Sequence, residues 1–174
     1  MSPTGKGPHG QLPVTVNPVE LAGQGAHLTG TLPLKAMSRL TQACLEDKGE
    51  VHADLYFGRA ESGNVLEMTG TVDATVRVAC QRCLEPMELE LRTETRLLLL
   101  RTGEREESLA QEVDALVADR PLLLIQLVED ELLLVMPMIP LHSLDRCPAR
   151  EHVDSPGGAP KAKPLSTLGR LKRA

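Results

Sequence analysis

The sequence predicts an α+β fold: an antiparallel sheet with a long central hairpin, one amphipathic helix and one long apolar helix packed on it. Three observations carry this. Leu66, Met68, Gly70, Val72, Ala74, Val76 and Val78 alternate with Glu67, Thr69, Thr71, Asp73, Thr75 and Arg77, the period-two pattern of a long strand with one buried face. Met87, Leu89 and Leu91 alternate with Glu88, Glu90 and Arg92 and run on into the leucines at 97–100, which makes an antiparallel partner across a short connection. Downstream, Leu124, Ile125, Val128, Leu132, Val135 and Met136 recur at helical spacing.

Taken in order, residues 1–11 are rich in Gly and Pro and are expected to be disordered. Residues 12–16 alternate and read as a strand, and residues 27–32 as a second. Residues 35–47 read as a helix, with Met37, Leu40, Cys44 and Leu45 on one face and Gly49 at its end. Cys44 lies on that apolar face and is assigned to the core. Residues 50–57 have strand character, residues 59–64 form a turn, and the hairpin follows. Residues 101–111 are polar and read as a loop. An Asp119 cap with Pro121 in the first turn starts the long helix, which runs to about Met136 and stops at Pro137. Leu123, Leu127 and Leu134 give this helix a second, narrower apolar stripe, so it asks for a second neighbour beyond the sheet: another element, a twin subunit or a partner. The single domain thus spans 12–148. A Pro/Gly-rich linker covers 149–164, and 165–174 form a basic amphipathic tail with Leu165, Leu168 and Leu171 among Arg170, Lys172 and Arg173.

Composition narrows the function classes. The 174 residues are 41% hydrophobic, enough for a core, but Tyr56 and Phe57 are the only aromatics. A surface that stacks bases on aromatic rings is therefore disfavoured. Net charge is −5, unevenly spread. The last fourteen residues hold five basic side chains and no acid, so the remainder carries 14 basic against 24 acidic groups, a balance of −10. An acidic body is a poor general binder of phosphate backbones. The body could hold a basic protein or be merely a soluble surface, and the tail could touch nucleic acid. No apolar leader opens the chain, and the apolar stretch at 121–141 is interrupted by Glu129, Asp130 and Glu131, which argues against a membrane span. A reducing cytoplasm is the expected compartment.

Chemistry concentrates in two short stretches. Cys80 and Cys83 sit two residues apart at the tip of the hairpin, and His142 and Cys147 follow the segment that closes the long helix. Zn²⁺ favours tetrahedral thiolate and imidazole ligands, so these four form a candidate metal site, with Arg82 and Arg146 placed to balance its negative charge. The competing reading puts Cys80 in the core and leaves Cys83 and Cys147 as ordinary surface thiols. A redox pair ranks below both, because catalytic Cys-X-X-Cys motifs open a helix and this one lies between strands. No phosphate-binding glycine loop or nucleophile elbow is present. Glu129, Asp130 and Glu131 point about 100° apart around a helix and cannot converge on one ion. At least one of them must lie at the apolar surface and needs an Arg or backbone amides as partner. A non-enzymatic chain is the expectation. The alternative is a zinc- or thiol-dependent enzyme using Cys80 and Cys83.

The ordered motifs Val78-Ala79-Cys80-Gln81-Arg82-Cys83, Leu127-Val128-Glu129-Asp130-Glu131-Leu132 and Met136-Pro137-Met138-Ile139-Pro140-Leu141-His142 before Cys147 resemble the YceD family, the large ribosomal RNA subunit accumulation proteins of bacteria. The opening Leu12-Pro13-Val14-Thr15-Val16-Asn17-Pro18 and the ending from Lys163 to Arg173 resemble the family's two ends, with Lys163 and Leu165 standing where the family tail usually has Asn and Phe. The resemblance implies a cytoplasmic, non-enzymatic factor in synthesis, processing or stability of large-subunit ribosomal RNA, acting on the pre-ribosomal large subunit. Its partner would be either the rRNA or a basic ribosomal protein.

Overall fold

The structure, a computed structural model, describes residues 10–60, 65–101, 114–118 and 120–150. The tail and all but residues 149 and 150 of the expected linker lie outside the described residues, as do most of the 101–111 loop, most of the 59–64 turn and the expected cap Asp119. The architecture is α+β with a mostly antiparallel sheet. Its strands are β1 (Gly10–Gln11), β3 (His27–Pro33), β4 (Glu50–Arg59), β5 (Leu66–Ala79), β6 (Pro86–Leu100) and β7 (Asp114–Val117), ordered β1-β3-β4-β5-β6-β7. Neighbours from β3 to β6 pair antiparallel, whereas the edge strands β1 and β7 pair parallel with β3 and β6. A small ribbon joins β2 (Thr15–Val16) to β8 (Leu122–Leu123).

The hairpin is as its alternation predicts. β5 and β6 pair from Leu66↔Leu99 to Ala79↔Pro86, so Leu66, Met68, Val72, Ala74, Val76 and Val78 fall on one face. That face, with Val51, Leu55 and Phe57 of β4, is covered by α1 (Pro18–Gln24), α2 (Ser38–Gln42) and α3 (Leu124–Val135), which contribute Ala22, Leu40, Leu124, Val128 and Leu132 to a single core. The other face is open along much of β4–β6 and presents His52, Asp54, Asp73, Arg77, Glu88, Glu90, Arg92, Glu94 and Arg96. This one-sided burial is the ordinary state of an antiparallel sheet packed under helices.

Four local expectations are corrected. Residues 35–47 do not form one helix. A 3₁₀ turn at Leu34–Ala36 is followed by Met37 with φ −98° and ψ 82°, and only then by the short α2. Glu129 captures the amides of Arg39 and Leu40, and the Leu45 amide bonds to the Arg77 carbonyl at 2.7 Å, so tertiary partners claim both ends. The apolar face survives: Met37 and Leu40 are fully buried and Cys44 packs against the core, its thiol donating to the Leu40 carbonyl at 3.2 Å and pushed up in pKa by burial. Leu45, however, is exposed. The long helix begins at Leu124 rather than near Pro121, because Leu122 and Leu123 pair with β2 and the Leu124 amide donates to the Val14 carbonyl. It ends as expected, with Met136 extended ahead of Pro137. Of the strand expected at 12–16 only Thr15–Val16 pairs, with Leu12 buried in the core. At the N-terminus, Gly10 and Gln11, within the segment expected to be disordered, pair with Gly30 and Thr31.

Helix α1 was missed, although its signals are present. The Asn17 side chain accepts from the Glu20 amide, Pro18 opens the first turn, and Gly25 closes it at φ 65°.

Gly70 marks a close approach of β4 to β5. A Cβ there would fall on the Asp54 carbonyl group and 2.9 Å from the Leu55 Cα. These are backbone atoms of a paired strand and cannot rotate away. Gly70→Ala is expected to destabilise the fold by about 3 kcal/mol, the upper end for overpacking, measured by chemical denaturation. A loss under about 0.5 kcal/mol would mean the two strands part freely at this point.

Candidate metal centre

Strand β5 delivers Cys80 at its end. A tight loop then reverses the chain: the Cys80 amide bonds to the Glu85 carbonyl at 3.0 Å and the Leu84 amide to the Cys80 carbonyl at 2.8 Å. The reversal forces Leu84 to φ 63°, a left-handed conformation that leucine rarely adopts. Cys80 is fully buried and Cys83, inside the loop, is half-buried.

The segment after α3 crosses this tip. Pro140 is buried, and its carbonyl accepts from the Gln81 amide at 2.9 Å. The crossing places the His142 amide 3.4 Å from the Cys80 sulfur and His142 Nδ1 3.3 Å from the Cys83 sulfur. Cys147 completes the group from a buried position. One ligand atom from each of Cys80, Cys83, His142 and Cys147 lies within 4.8 Å of the others. All four sequence-predicted metal ligands are thus brought together, two from the hairpin and two from a segment some sixty residues downstream. Around a tetrahedral Zn²⁺ with bonds near 2.3 Å the ligand atoms stand roughly 3.8 Å apart, so the set needs only a small contraction to close on an ion. Three sulfurs and one imidazole nitrogen, with no carboxylate, are donor types that Zn²⁺ favours.

The electrostatics fit ligation. Burial pushes the Cys80 thiol up, but the amides of His142, Cys83 and Arg82, aided by the Cys83 side chain, outweigh it and bring the pKa down to about 5. Cys83 moves the opposite way, raised by burial and by the sulfurs of Cys80 and Cys147 despite a backbone contact at Glu85. Three thiolates this close repel one another unless a cation sits among them. Arg82 stands beside the cluster, half-buried, with its Nη1 shielded from solvent and without a hydrogen-bond partner. Arg146 is instead exposed, 4.0 Å from Asp145. The candidate partner-binding residues Leu165, Leu168, Arg170, Leu171, Lys172 and Arg173 lie outside the described residues.

The acidic triplet of α3 separates as its geometry requires. Glu129 is buried; its Oε1 accepts from the Arg39 and Leu40 amides at 2.7 and 3.0 Å, and its Oε2 from the Arg39 guanidinium at 3.0–3.1 Å. Exposed Asp130 takes the other Arg39 nitrogen at 2.6 Å. Glu129 therefore has the Arg and amide partners its position demanded. Sequence reading could not name them, since Arg39 is 90 residues away.

Among the described residues no helix is long and apolar enough to cross a membrane. No solved structure matches the chain significantly. It is 26% identical over 170 residues to the large ribosomal RNA subunit accumulation protein YceD of Haemophilus influenzae, covering 94% of this chain and 97% of that protein. The family model for large ribosomal RNA subunit accumulation protein YceD matches residues 68–170, a stretch that contains nearly all of the hairpin, the long helix and all four cluster residues. With more than half of its length matched by that model, the chain belongs to the YceD family.

Proposed function

We propose that this protein acts in the cytoplasm as an accessory factor in the accumulation of large-subunit ribosomal RNA, by binding rather than by catalysis. The observation that carries the reading is the family match, which covers the hairpin from Met68 onward and the crossing after α3. The geometry supports the non-catalytic part. The thiol with the lowered pKa, Cys80, is fully buried, with its sulfur close to those of Cys83 and Cys147 and to the His142 imidazole. A nucleophile needs access to its substrate; a metal ligand does not.

Zn²⁺ is the ion this donor set favours. Cys80, Cys83, His142 and Cys147 would hold it, and it would clamp the Pro140–Cys147 crossing to the hairpin tip. For the partner, the open sheet face favours a basic ribosomal protein over bare rRNA. Glu50, Asp54, Asp73, Glu88, Glu90 and Glu94 outnumber Arg77, Arg92 and Arg96 there, and the one large aromatic it presents is Tyr56.

Depletion of the protein tests the reading. Mature large-subunit rRNA is expected to fall relative to small-subunit rRNA, with precursors accumulating, as measured by quantitative hybridisation. Unchanged levels of both would sink it. Complementation with a Cys80→Ser/Cys83→Ser chain separates a brace from an enzyme: a brace predicts partial, temperature-sensitive rescue, whereas an enzyme predicts none at any temperature.

A further inference from the structure

We propose that the exposed apolar rim around the cysteine cluster is the seat of the chain's own C-terminal segment, with Leu165, Leu168 and Leu171 laid over Leu84, Met138 and Ile139. The rim is unusual. Leu84 is 74% exposed, Met138 99% and Ile139 63%, with Leu141 and Leu144 exposed beside them. Leu84 also holds a left-handed backbone in which Gly or Asn would sit without strain, so a large apolar side chain stands in solvent at an added backbone cost. A residue placed this way gains nothing from the core. It gains only if something covers it.

The rim is preorganised. The Gln81–Pro140 hydrogen bond fixes the crossing against the hairpin tip, and the cluster holds both sides of it. The chain also leaves the described fold at this place, since the Arg150 amide bonds to the carbonyl of Cys147, a cluster residue. From there fifteen residues lead to Leu165. A Pro/Gly-rich spacer of that length spans roughly 20 Å, so the rim is within easy reach. A tether this short gives an effective concentration on the order of millimolar, which favours the chain's own segment over a second copy at ordinary protein concentrations.

Photocrosslinking in the full-length chain, with benzoylphenylalanine in place of Leu168, tests this. The expected result is crosslinking within one chain to Leu84, Met138 or Ile139, in a yield independent of protein concentration. A Met138→Ser/Ile139→Ser background, which changes only exposed side chains, is expected to reduce that yield at least fivefold. Crosslinks between two chains that grow with concentration would overturn the proposal in favour of a second copy. Crosslinks scattered over the sheet, or undiminished by the double substitution, would also overturn it. The ribosomal reading stands or falls separately, on the rRNA measurement.

Discussion

Protein purified without chelators is expected to carry close to one equivalent of zinc per chain, and replacing Cys83 by Ser or His142 by Ala is expected to abolish stoichiometric binding. The ligand atoms already lie within 4.8 Å of one another, so little reorganisation opposes the ion. An ion that binds only the folded state, at a thousandfold excess over its Kd, adds about 4 kcal/mol of stability. For a chain of this size that corresponds to a fall in Tm of roughly 10 °C on chelation. The loss should be local first. The β5–β6 ladder has its own hydrogen bonds, whereas the crossing at 137–147 depends on the cluster, so its amides should exchange fastest once metal is removed. Less than a tenth of an equivalent of zinc, with four freely titratable thiols and a Tm indifferent to chelator, would remove the metal from this account.

The metal-free chain carries its own pH signature. The Cys80 thiol is lowered from its ordinary value near 9 to about 5 in the fold. A depressed pKa stabilises the folded state where the group is ionised. That contribution is complete above about pH 9, is lost progressively as pH falls, and is gone below about 5. Thiolate absorbance at 240 nm should accordingly persist in the folded metal-free protein at pH 7 and disappear near pH 5. Absorbance that vanishes already at pH 8 would show that the amides of His142, Cys83 and Arg82 do not hold the thiolate.

Glu129→Ala is expected to cost about 3 kcal/mol, the largest effect of any substitution at a charged side chain outside the cluster. The carboxylate is 4% exposed and accepts four hydrogen bonds, two of them from the amides that open α2. Removing it strands those amides and half-exposed Arg39 beside a small cavity. Glu129→Gln keeps one oxygen for the amides but turns an NH₂ toward the guanidinium, so it should lose roughly half as much. Asp130→Ala should cost under about 1 kcal/mol, since that pair is open to solvent. Chemical denaturation checks the series. Equal losses for Glu129→Ala and Asp130→Ala would mean the buried contact adds nothing beyond a surface ion pair.

The predictive power of the sequence followed the range of the interactions. Alternation from Leu66 to Val78 and from Met87 to Leu91 located β5 and β6 nearly to the residue, because period-two burial is a property of consecutive side chains. The stop at Pro137 was equally local. The breaks at Met37 and Leu123 were not. In the first, a carboxylate 90 residues away caps a new helix inside a continuous amphipathic pattern; in the second, pairing with Thr15 and Val16 takes up the residues that helical periodicity claimed. Parallel pairing of the edge strands left no mark in the sequence, since parallel and antiparallel partners use the same residue types.

The cysteine cluster divides along the same line. By itself the sequence determined which side chains hold the chemistry: two thiols at a hairpin tip, and an imidazole and a thiol after a proline-bounded segment. Residue type and spacing set donor identity, and both are local. Only the tertiary structure decided that the two halves meet. Their meeting depends on the buried Pro140 crossing the loop and on the Gln81–Pro140 and His142–Cys80 hydrogen bonds, contacts between segments about sixty residues apart. The energy of such contacts arises from packing the whole core, and no window of sequence contains it.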